Sequence, residues 1–353
     1  MAHVFVGMSG DVDSSATALL LLQAGHRLSG INFQVFPQSE KALHQRALAD
    51  AEDARAVAER LGFPLYILDC SAEFRATVLR EFIAEYEAGR TPNPCITCNR
   101  TIKFGFLLDK ALEMGADFIA SGHYARGGYD ESTGRWLLKR AADTGKDQSY
   151  FLAQLRQEQL SRALFPLGEL TKAQAREVAE KAGLINARKR DSQDICFVPD
   201  GDFAAVIQRI TGHPSPQGDF LSTDGTVLGQ HQGFVRYTKG QRRGLGISAS
   251  QPLYVVDKDA TTASITLGPD SALWSQELTA ERMNWISIPE LKAPMAVSVK
   301  IRNTQKDVPA IVEPLPDGCA RVVFDKPQRA VTPGQSVVLY DGDIVVGGGI
   351  ICK

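Results

Sequence analysis

The chain has 353 residues, of which 44% are hydrophobic and 23% charged, and its formal net charge is −2. That length suits two or three cores rather than one, and the composition is that of an ordinary globular chain, not a disordered or fibrous one. No apolar run approaches the ~20 residues that cross a bilayer, and with so little net charge any nucleic-acid contact has to come from local basic patches.

The amino terminus, Met1-Ala2-His3-Val4-Phe5-Val6, enters a strand with no basic segment before it, so no secretory leader is expected and the chain is expected to be cytoplasmic. Val4–Val6 reads as a short buried strand, and Ser14–Ala24 as a Leu/Ala-rich helix stopped by Gly25. A second strand is expected over Leu28–Phe36, a helix over Ala47–Leu61 ending at Gly62, a third strand over Leu65–Leu68 and a helix over Ala72–Glu87. Gly89–Asn99, which holds Pro92 and Pro94, reads as a rigid loop; a helix over Ile102–Met114 and a fourth strand over Phe118–Ala120 follow. Thr171-x-x-Gln174 is a capping box opening a helix that closes at Gly183. This alternation predicts an α/β domain on a mostly parallel sheet.

From about Pro214 the texture changes. Helical periodicity disappears, glycines multiply, and short β runs appear at Tyr254–Val256, Ser264–Leu267, Ala296–Ile301, Ala320–Phe324, Ser336–Leu339 and Ile344–Val346. The expected division is an α/β domain over residues 1–208, a small β-rich domain over 209–280 and a β-barrel over 281–353.

Gly7-Met8-Ser9-Gly10-Asp11-Val12-Asp13-Ser14-Ser15 lies between the first strand and the first helix. Backbone N–H groups of such a turn, the positive end of the helix and the serine hydroxyls all suit an anion. No Gly-Lys-Ser/Thr follows, so this is not a Walker A loop. Taken alone, the same residues also make a tight turn with Ser14 as a plain N-cap.

The cysteines are Cys70, Cys95, Cys98, Cys196, Cys319 and Cys352, scattered through a long chain in no disulfide framework. Cys95-x-x-Cys98 reads as half a zinc site, but no second pair supplies the remaining ligands, so no structural metal is expected. As a redox pair it lacks the flanking residues of thioredoxin-like proteins. Cys70, Cys319 and Cys352 sit in apolar or terminal strand contexts and read as structural. His123, after a strand end, is either a general base or a positioning residue. Arg236-Tyr237-Thr238-Lys239-Gly240-Gln241-Arg242-Arg243 suits phosphate contacts or a solvated basic face.

The loop resembles the Ser-Gly-Gly-x-Asp-Ser signature of the ATP-pyrophosphatase superfamily, the adenine nucleotide alpha hydrolase-like enzymes that cleave ATP between the α and β phosphates. Asp11 stands where that signature has glycine; a carboxylate there repels phosphate and restricts positive φ. Further segments sharpen the likeness: Gly89-Arg90-Thr91-Pro92-Asn93-Pro94-Cys95-Ile96-Thr97-Cys98-Asn99-Arg100, Ser121-Gly122-His123-Tyr124, Lys146-Asp147-Gln148-Ser149-Tyr150-Phe151, Lys189-Arg190-Asp191-Ser192-Gln193-Asp194-Ile195-Cys196-Phe197, Gly240-Gln241-Arg242-Arg243-Gly244-Leu245-Gly246 and Thr332-Pro333-Gly334-Gln335. In this order, nearly end to end, the chain resembles the bacterial tRNA-specific 2-thiouridylase family.

The resemblance implies an ATP-dependent 2-thiolation of the wobble uridine of tRNA. ATP, with Mg²⁺, is assigned to Gly7, Met8, Ser9, Gly10, Asp11, Val12, Asp13, Ser14, Phe33 and Gly122. AMP is transferred to the uridine C2 oxygen, a persulfide on Cys196 delivers sulfur, and Cys98 assists by freeing sulfide or by resolving a disulfide. tRNA contacts are assigned to Asn93, Pro94 and Cys95, which meet the target base, and to Lys146, Asp147, Gln148, Arg302 and Asn303. Asn303 replaces a frequent Tyr, and Cys95, often Asp in relatives, reads as a lining residue. Sulfur is expected from a cysteine desulfurase or a relay protein, with no membrane involved. Physically, Cys98 is expected just before a helix whose dipole lowers its pKa, with Lys103 adding charge, and Cys196 beside Lys189 and Arg190. The rivals are another ATP-pyrophosphatase synthetase, which needs no cysteine pair, and a paralogue that binds tRNA without catalysis, for which Asp11 is the motive.

Overall fold

The computed structural model describes residues 1–189, 195–198 and 200–353. Its first part holds β1 (His3–Gly7), β2 (Arg27–Gln34), β3 (Leu65–Asp69), β4 (Phe118–Ala120), a hairpin of β5 (Arg126–Asp130) and β6 (Arg135–Lys139), and β7 (Ala163–Leu164). β1–β4 and β7 form a parallel sheet in the order β3-β2-β1-β4-β7. Around it lie α1 (Val12–Gln23), α2 (Lys41–Leu61), α3 (residues 71–87), α4 (residues 94–113) and α5 (Lys172–Lys181). Successive strand residues face opposite sides, so Phe5 packs with Phe74, Phe82 and Ile102 of α3 and α4, while Val4 and Val6 pack with Val12, Leu21 and Val57 of α1 and α2. Both faces are covered, which is why Val4, Phe5 and Val6 are all apolar and fully buried. The chain moves outward from β1 in one direction and from β4 in the other, and the crevice between their carboxyl ends is the place where such sheets take ligands.

Gly25 and Gly62 end α1 and α2 at positive φ, and Thr171 and Gln174 form the expected capping box. The segment expected to be a rigid loop over Gly89–Asn99 differs. α4 already begins at Pro94, with Pro at the first helical position and the Asn93 side chain accepting a hydrogen bond from the Cys95 N–H at 3.2 Å. The same helix widens into π-type turns over Asn99–Phe106.

The middle part comprises α6 (Phe203–Thr211), which runs through residue 208, and β8 (Gly218–Ser222), β9 (Val227–His231), β10 (Tyr254–Asp259) and β11 (Ser264–Gly268) in the order β10-β11-β8-β9. The last part comprises β12 (Trp274–Trp285), which runs through residue 280, β13 (Met295–Lys300), β14 (Val308–Pro314), β15 (Ala320–Arg329), β16 (Ser336–Asp341) and β17 (Ile344–Ile351). These six strands are antiparallel, and pairing of β12 with β17 closes them into a barrel around Leu278, Val299, Val312, Val322 and Leu339. The hairpin of β5 and β6, absent from the expectations, leaves the first part and joins the barrel edge, with Lys139 opposite Ile344. The Tyr150 hydroxyl donates to the Ser336 carbonyl at 2.8 Å, Arg90 pairs with Glu281 at 2.8 Å, and Gly334 lies so close to Thr91 that a Cβ there would stand 2.7 Å from its nitrogen. The barrel is thereby fastened to the segment that leads into α4. Among the described residues no helix is long and apolar enough to cross a membrane.

Candidate active site

The loop after β1 turns at Gly10, whose φ is +80° and whose missing side chain lets the Asp50 carbonyl approach. Asp11, expected to suffer from positive φ, is extended at φ −94° as the N-cap of α1; Gly10 takes the strained position instead. Asp11 makes no side-chain capping bond, so the first-turn N–H groups of α1 are left for another acceptor. Ser14 and Ser15 hydroxyls both turn back to the Asp11 carbonyl, at 2.9 and 3.1 Å.

The carboxylate of Asp11 is not isolated. Lys189 Nζ stands 3.6 Å from Asp11 Oδ1, 2.7 Å from Asp50 Oδ1 and 2.9 Å from Asp53 Oδ2, and donates to the Gly10 carbonyl at 3.3 Å. Burial raises the Asp11 pKa and Lys189 opposes it. Asn186 donates to the Gly10 carbonyl and to Ser15 Oγ at 2.9 and 2.8 Å. Lys189 was expected beside Cys196; the structure assigns its charge to the loop, and its companion Arg190 lies outside the described residues. Asp13 is held by Lys172 Nζ at 2.8 Å and by the Tyr124 hydroxyl at 2.8 Å. Gly122 lies so close that a Cβ would meet the Asp13 backbone carbon at 2.9 Å. Thus the loops after β1 and β4 touch across the crevice. Phe33, near the end of β2, packs against the core of the first part.

Beside Gly122, the ring of His123 lies 6.1 Å from that of Phe104 on α4, and its Nδ1 is 2.7 Å from Ser121 Oγ. Burial, with the nearby Lys103 charge, holds its pKa well below the usual histidine value. The imidazole is therefore neutral at ordinary pH and a weak proton acceptor, which fits positioning better than base catalysis.

Lys103 leads to the sulfurs. Cys95 and Cys98 lie one turn apart on α4, and Cys196 sits between Ile195 and Phe197, which pack in the same apolar cluster as Ile96 and Cys98. The thiols of Cys95, Cys98 and Cys196 are close enough to influence one another's charge. Two expectations are corrected here. Cys98 is inside a helix rather than before it, and neither it nor Cys196 is tuned towards thiolate. Burial pushes Cys98 up to about 11 and Cys196 up to about 12, with Lys103 acting against the rise on both. Charge on sulfur is costly in these apolar surroundings, even though Cys196 reaches solvent. Cys70 is fully buried behind it, its thiol also pushed up to about 12 by burial. Cys352 donates from Sγ to the Thr279 carbonyl at 3.3 Å in the barrel.

The residues expected to meet tRNA are placed unequally. Asn93 and Pro94 build the start of α4, and Cys95 is exposed there. Lys146 is exposed, but the Asp147 carboxylate is buried, accepting from the Ala141 and Ser149 N–H groups at 3.1 Å each and from Ser149 Oγ at 2.9 Å. Gln148 Oε1 accepts from the Tyr124 N–H at 2.9 Å. Arg302 donates to the carbonyls of Arg329 and Ala330, at 2.8 and 2.9 Å, clamping a turn on which Gly240 of the basic run is seated. Asn303 is half-buried next to it. The roles of Lys172, Tyr124, Asn186, Asp50 and Asp53 were not legible in the sequence, because only folding brings them to the loop.

Three family models match the chain: one described as tRNA methyl transferase HUP domain over residues 2–200, one as tRNA methyl transferase PRC-barrel domain over 205–269, and one as aminomethyltransferase beta-barrel domain over 275–351. The chain is 49% identical over 353 residues to tRNA-specific 2-thiouridylase MnmA of Acetivibrio thermocellus, covering 99% of this chain and 98% of that one. It is also 49% identical over 356 residues to tRNA-specific 2-thiouridylase MnmA 1 of Caldanaerobacter subterraneus subsp. tengcongensis, with 99% and 98% covered. The protein of the same name, without the number, from Lachnoclostridium phytofermentans is 44% identical over 358 residues, with both chains covered completely.

Proposed function

Because the chain belongs to the tRNA-specific 2-thiouridylase family, we propose that it performs ATP-dependent 2-thiolation of the wobble uridine of tRNA. The observation that carries this reading is the meeting of Cys98 and Cys196, 98 positions apart in the sequence, on one apolar surface joined through Lys103, His123 and Gly122 to the loop after β1. Although the family models' descriptions name methyl transfer, the relatives that match from end to end at 44–49% identity are 2-thiouridylases, which supports thiolation.

The loop fits a nucleotide triphosphate. Gly10 makes room, α1 presents free N–H groups to the phosphates, Asp13 is neutralised by Lys172, and Lys189 offsets part of the charge of Asp11, Asp50 and Asp53. Gly7–Ser14 and Gly122 hold the phosphates, and Phe33 the base. Mg²⁺, if carried in by the phosphates, would offset charge on the departing pyrophosphate; among the described residues no cluster of His, Cys, Asp or Glu would hold it on its own. The uridine C2 oxygen attacks the α-phosphorus, pyrophosphate leaves, and C2 now carries AMP as a leaving group. The outer sulfur of a Cys196 persulfide replaces it. Cys98 then attacks Cys196 Sγ, which releases the thiocarbonyl and leaves a Cys98–Cys196 disulfide. The raised thiol pKa values keep both sulfurs protonated until cationic or hydrogen-bonding partners arrive with the substrate. Lys146 and the run Arg236–Arg243 bind tRNA phosphates. Arg302 acts through the turn that it holds, and Asp147 through the fold of its own loop. The sulfur donor is a cysteine desulfurase or relay protein, and the setting is the cytoplasm.

The test is one reaction of protein, ATP, Mg²⁺, a persulfide source and unmodified tRNA, read by nucleoside mass spectrometry. 2-Thiouridine is expected from the parental protein and not from Cys98→Ser or Cys196→Ser. Parental activity in either variant refutes the two-thiol reading.

A further inference from the structure

Cys95 has no part in the chemistry above, yet its thiol is free and exposed on the first turn of α4. Residues three apart on a helix share a face, and helix geometry puts their Cα atoms about 5 Å apart, within the roughly 4.4–6.8 Å that a disulfide spans. Ile96, between Cys95 and Cys98, packs in the same cluster as Ile195 and Phe197, which flank Cys196. Cys95 and Cys98 share one helix face, and both lie close enough to Cys196 for the three thiols to feel one another's charge, so three thiols from two segments gather at one place, with Cys95 and Cys196 exposed there. Cys70, fully buried behind them, has no path to a reagent in solution.

Resting on the function proposed above, we infer that Cys95 is a resolving thiol, which takes Cys98 out of the Cys98–Cys196 disulfide and frees Cys196 for reloading. The Cys95 thiolate, its proton given to solvent, attacks Cys98 Sγ. The Cys98–Cys196 bond breaks, a Cys95–Cys98 bond forms, and the electron pair leaves on Cys196 Sγ. One disulfide replaces another, so this step needs no oxidant or reductant. A dithiol from solution then reduces the Cys95–Cys98 bond and becomes a disulfide itself. Attack on Cys98 rather than Cys196 follows from the helix, which holds Cys95 and Cys98 in fixed register. The arrangement separates two events that otherwise compete for one residue: reloading of Cys196 with sulfur, and reduction of the spent disulfide.

The experiment uses the full chain carrying a persulfide, mixed with ATP, Mg²⁺ and unmodified tRNA without reductant, quenched in acid, alkylated and digested with trypsin. Cys95 and Cys98 fall in the peptide over 91–100 and Cys196 in that over 191–209. After one turnover the parental 91–100 peptide is expected to be oxidised within itself, with Cys196 alkylated. In Cys95→Ser the two peptides are expected to be joined, and with limiting dithiol its first turnover is followed by turnovers slowed about tenfold or more relative to that first one, a lag relieved by more dithiol. Joined peptides with alkylated Cys95 in the parental protein overturn the inference. So does a Cys95→Ser form that shows no slowing after its first turnover, or one that makes no product even in the first. If the parental protein yields neither 2-thiouridine nor any disulfide, the functional reading falls and takes this inference with it.

Discussion

Asp11 and Lys189 make the sharpest test of the nucleotide loop. Asp11, Asp50, Asp53 and Lys189 together carry two negative charges. Asp11→Gly leaves one, Lys189→Met leaves three, and the double variant leaves two again. A unit charge about 8 Å from a phosphate, at an effective dielectric near 20, is worth about 2 kcal/mol, cut to about 1 kcal/mol by physiological salt. Asp11→Gly is therefore expected to tighten ATP by about fivefold, Lys189→Met to weaken it by about fivefold, and the double variant to return near the parental value. Lys189 also touches the Gly10 carbonyl, so its loss loosens the turn and the weakening is the firmer of the two effects. Calorimetric titration of the four proteins, repeated at high salt, measures this, and all differences should shrink as salt rises. If Lys189→Met binds ATP as the parent does, while Asp11→Gly binds it no better, the electrostatic account of the loop is wrong. If the double variant is much weaker than both parent and Asp11→Gly, Lys189 acts by contact rather than by net charge.

Two further predictions separate roles that the sequence placed together. Arg302→Ala strips two carbonyls of their donor, at a cost of about 1–3 kcal/mol, so it should lower the melting temperature as well as tRNA affinity. Lys146→Ala should leave stability within about 0.5 kcal/mol and flatten the dependence of log affinity on log salt by about 0.7–0.9; an Arg302→Ala protein of parental stability contradicts the clamp. In the free protein, Cys98 at about 11 and Cys196 at about 12 remain protonated at neutral pH. Iodoacetamide labelling of each should therefore be far slower than that of an ordinary thiol near 8.5 and should rise about tenfold per pH unit beyond pH 9. The unfolded thiols ionise first, so stability should also fall as pH rises above about 8.5. A labelling plateau below pH 9 means that the sulfurs are already activated.

Much of the fold was legible because it rests on local chemistry. Helix ends at Gly25 and Gly62, the capping box at Thr171, the apolar strand Val4–Val6 and the glycine-bearing turn after it depend on neighbours within a few residues, and all stand where expected. The start of α4 was equally local: Asn93 as cap and Pro94 at the first helical position are a helix opening, mistaken for a loop because two prolines together read as a breaker. The hairpin of β5 and β6 was missed for another reason. Its partner is strand β17, some two hundred residues on, and a strand stabilised by a distant edge leaves little periodicity of its own.

Residue types and spacing determined which side chains were candidates, Cys98, Cys196 and the Gly7–Ser14 loop foremost. The tertiary structure alone decided their state. A thiol's pKa depends on the balance between desolvation and nearby charge, and both come from segments far away in sequence: the cluster of Phe74, Phe82 and Phe197 raises the cost of a thiolate, while the cation expected at Cys196, Lys189, is spent on Asp50 and Asp53. The same holds for Asp147 and Arg302, whose charges looked available for RNA and are consumed by backbone groups that only folding brings within hydrogen-bond distance. Charge is written in the sequence, but its availability is set by what the fold packs around it.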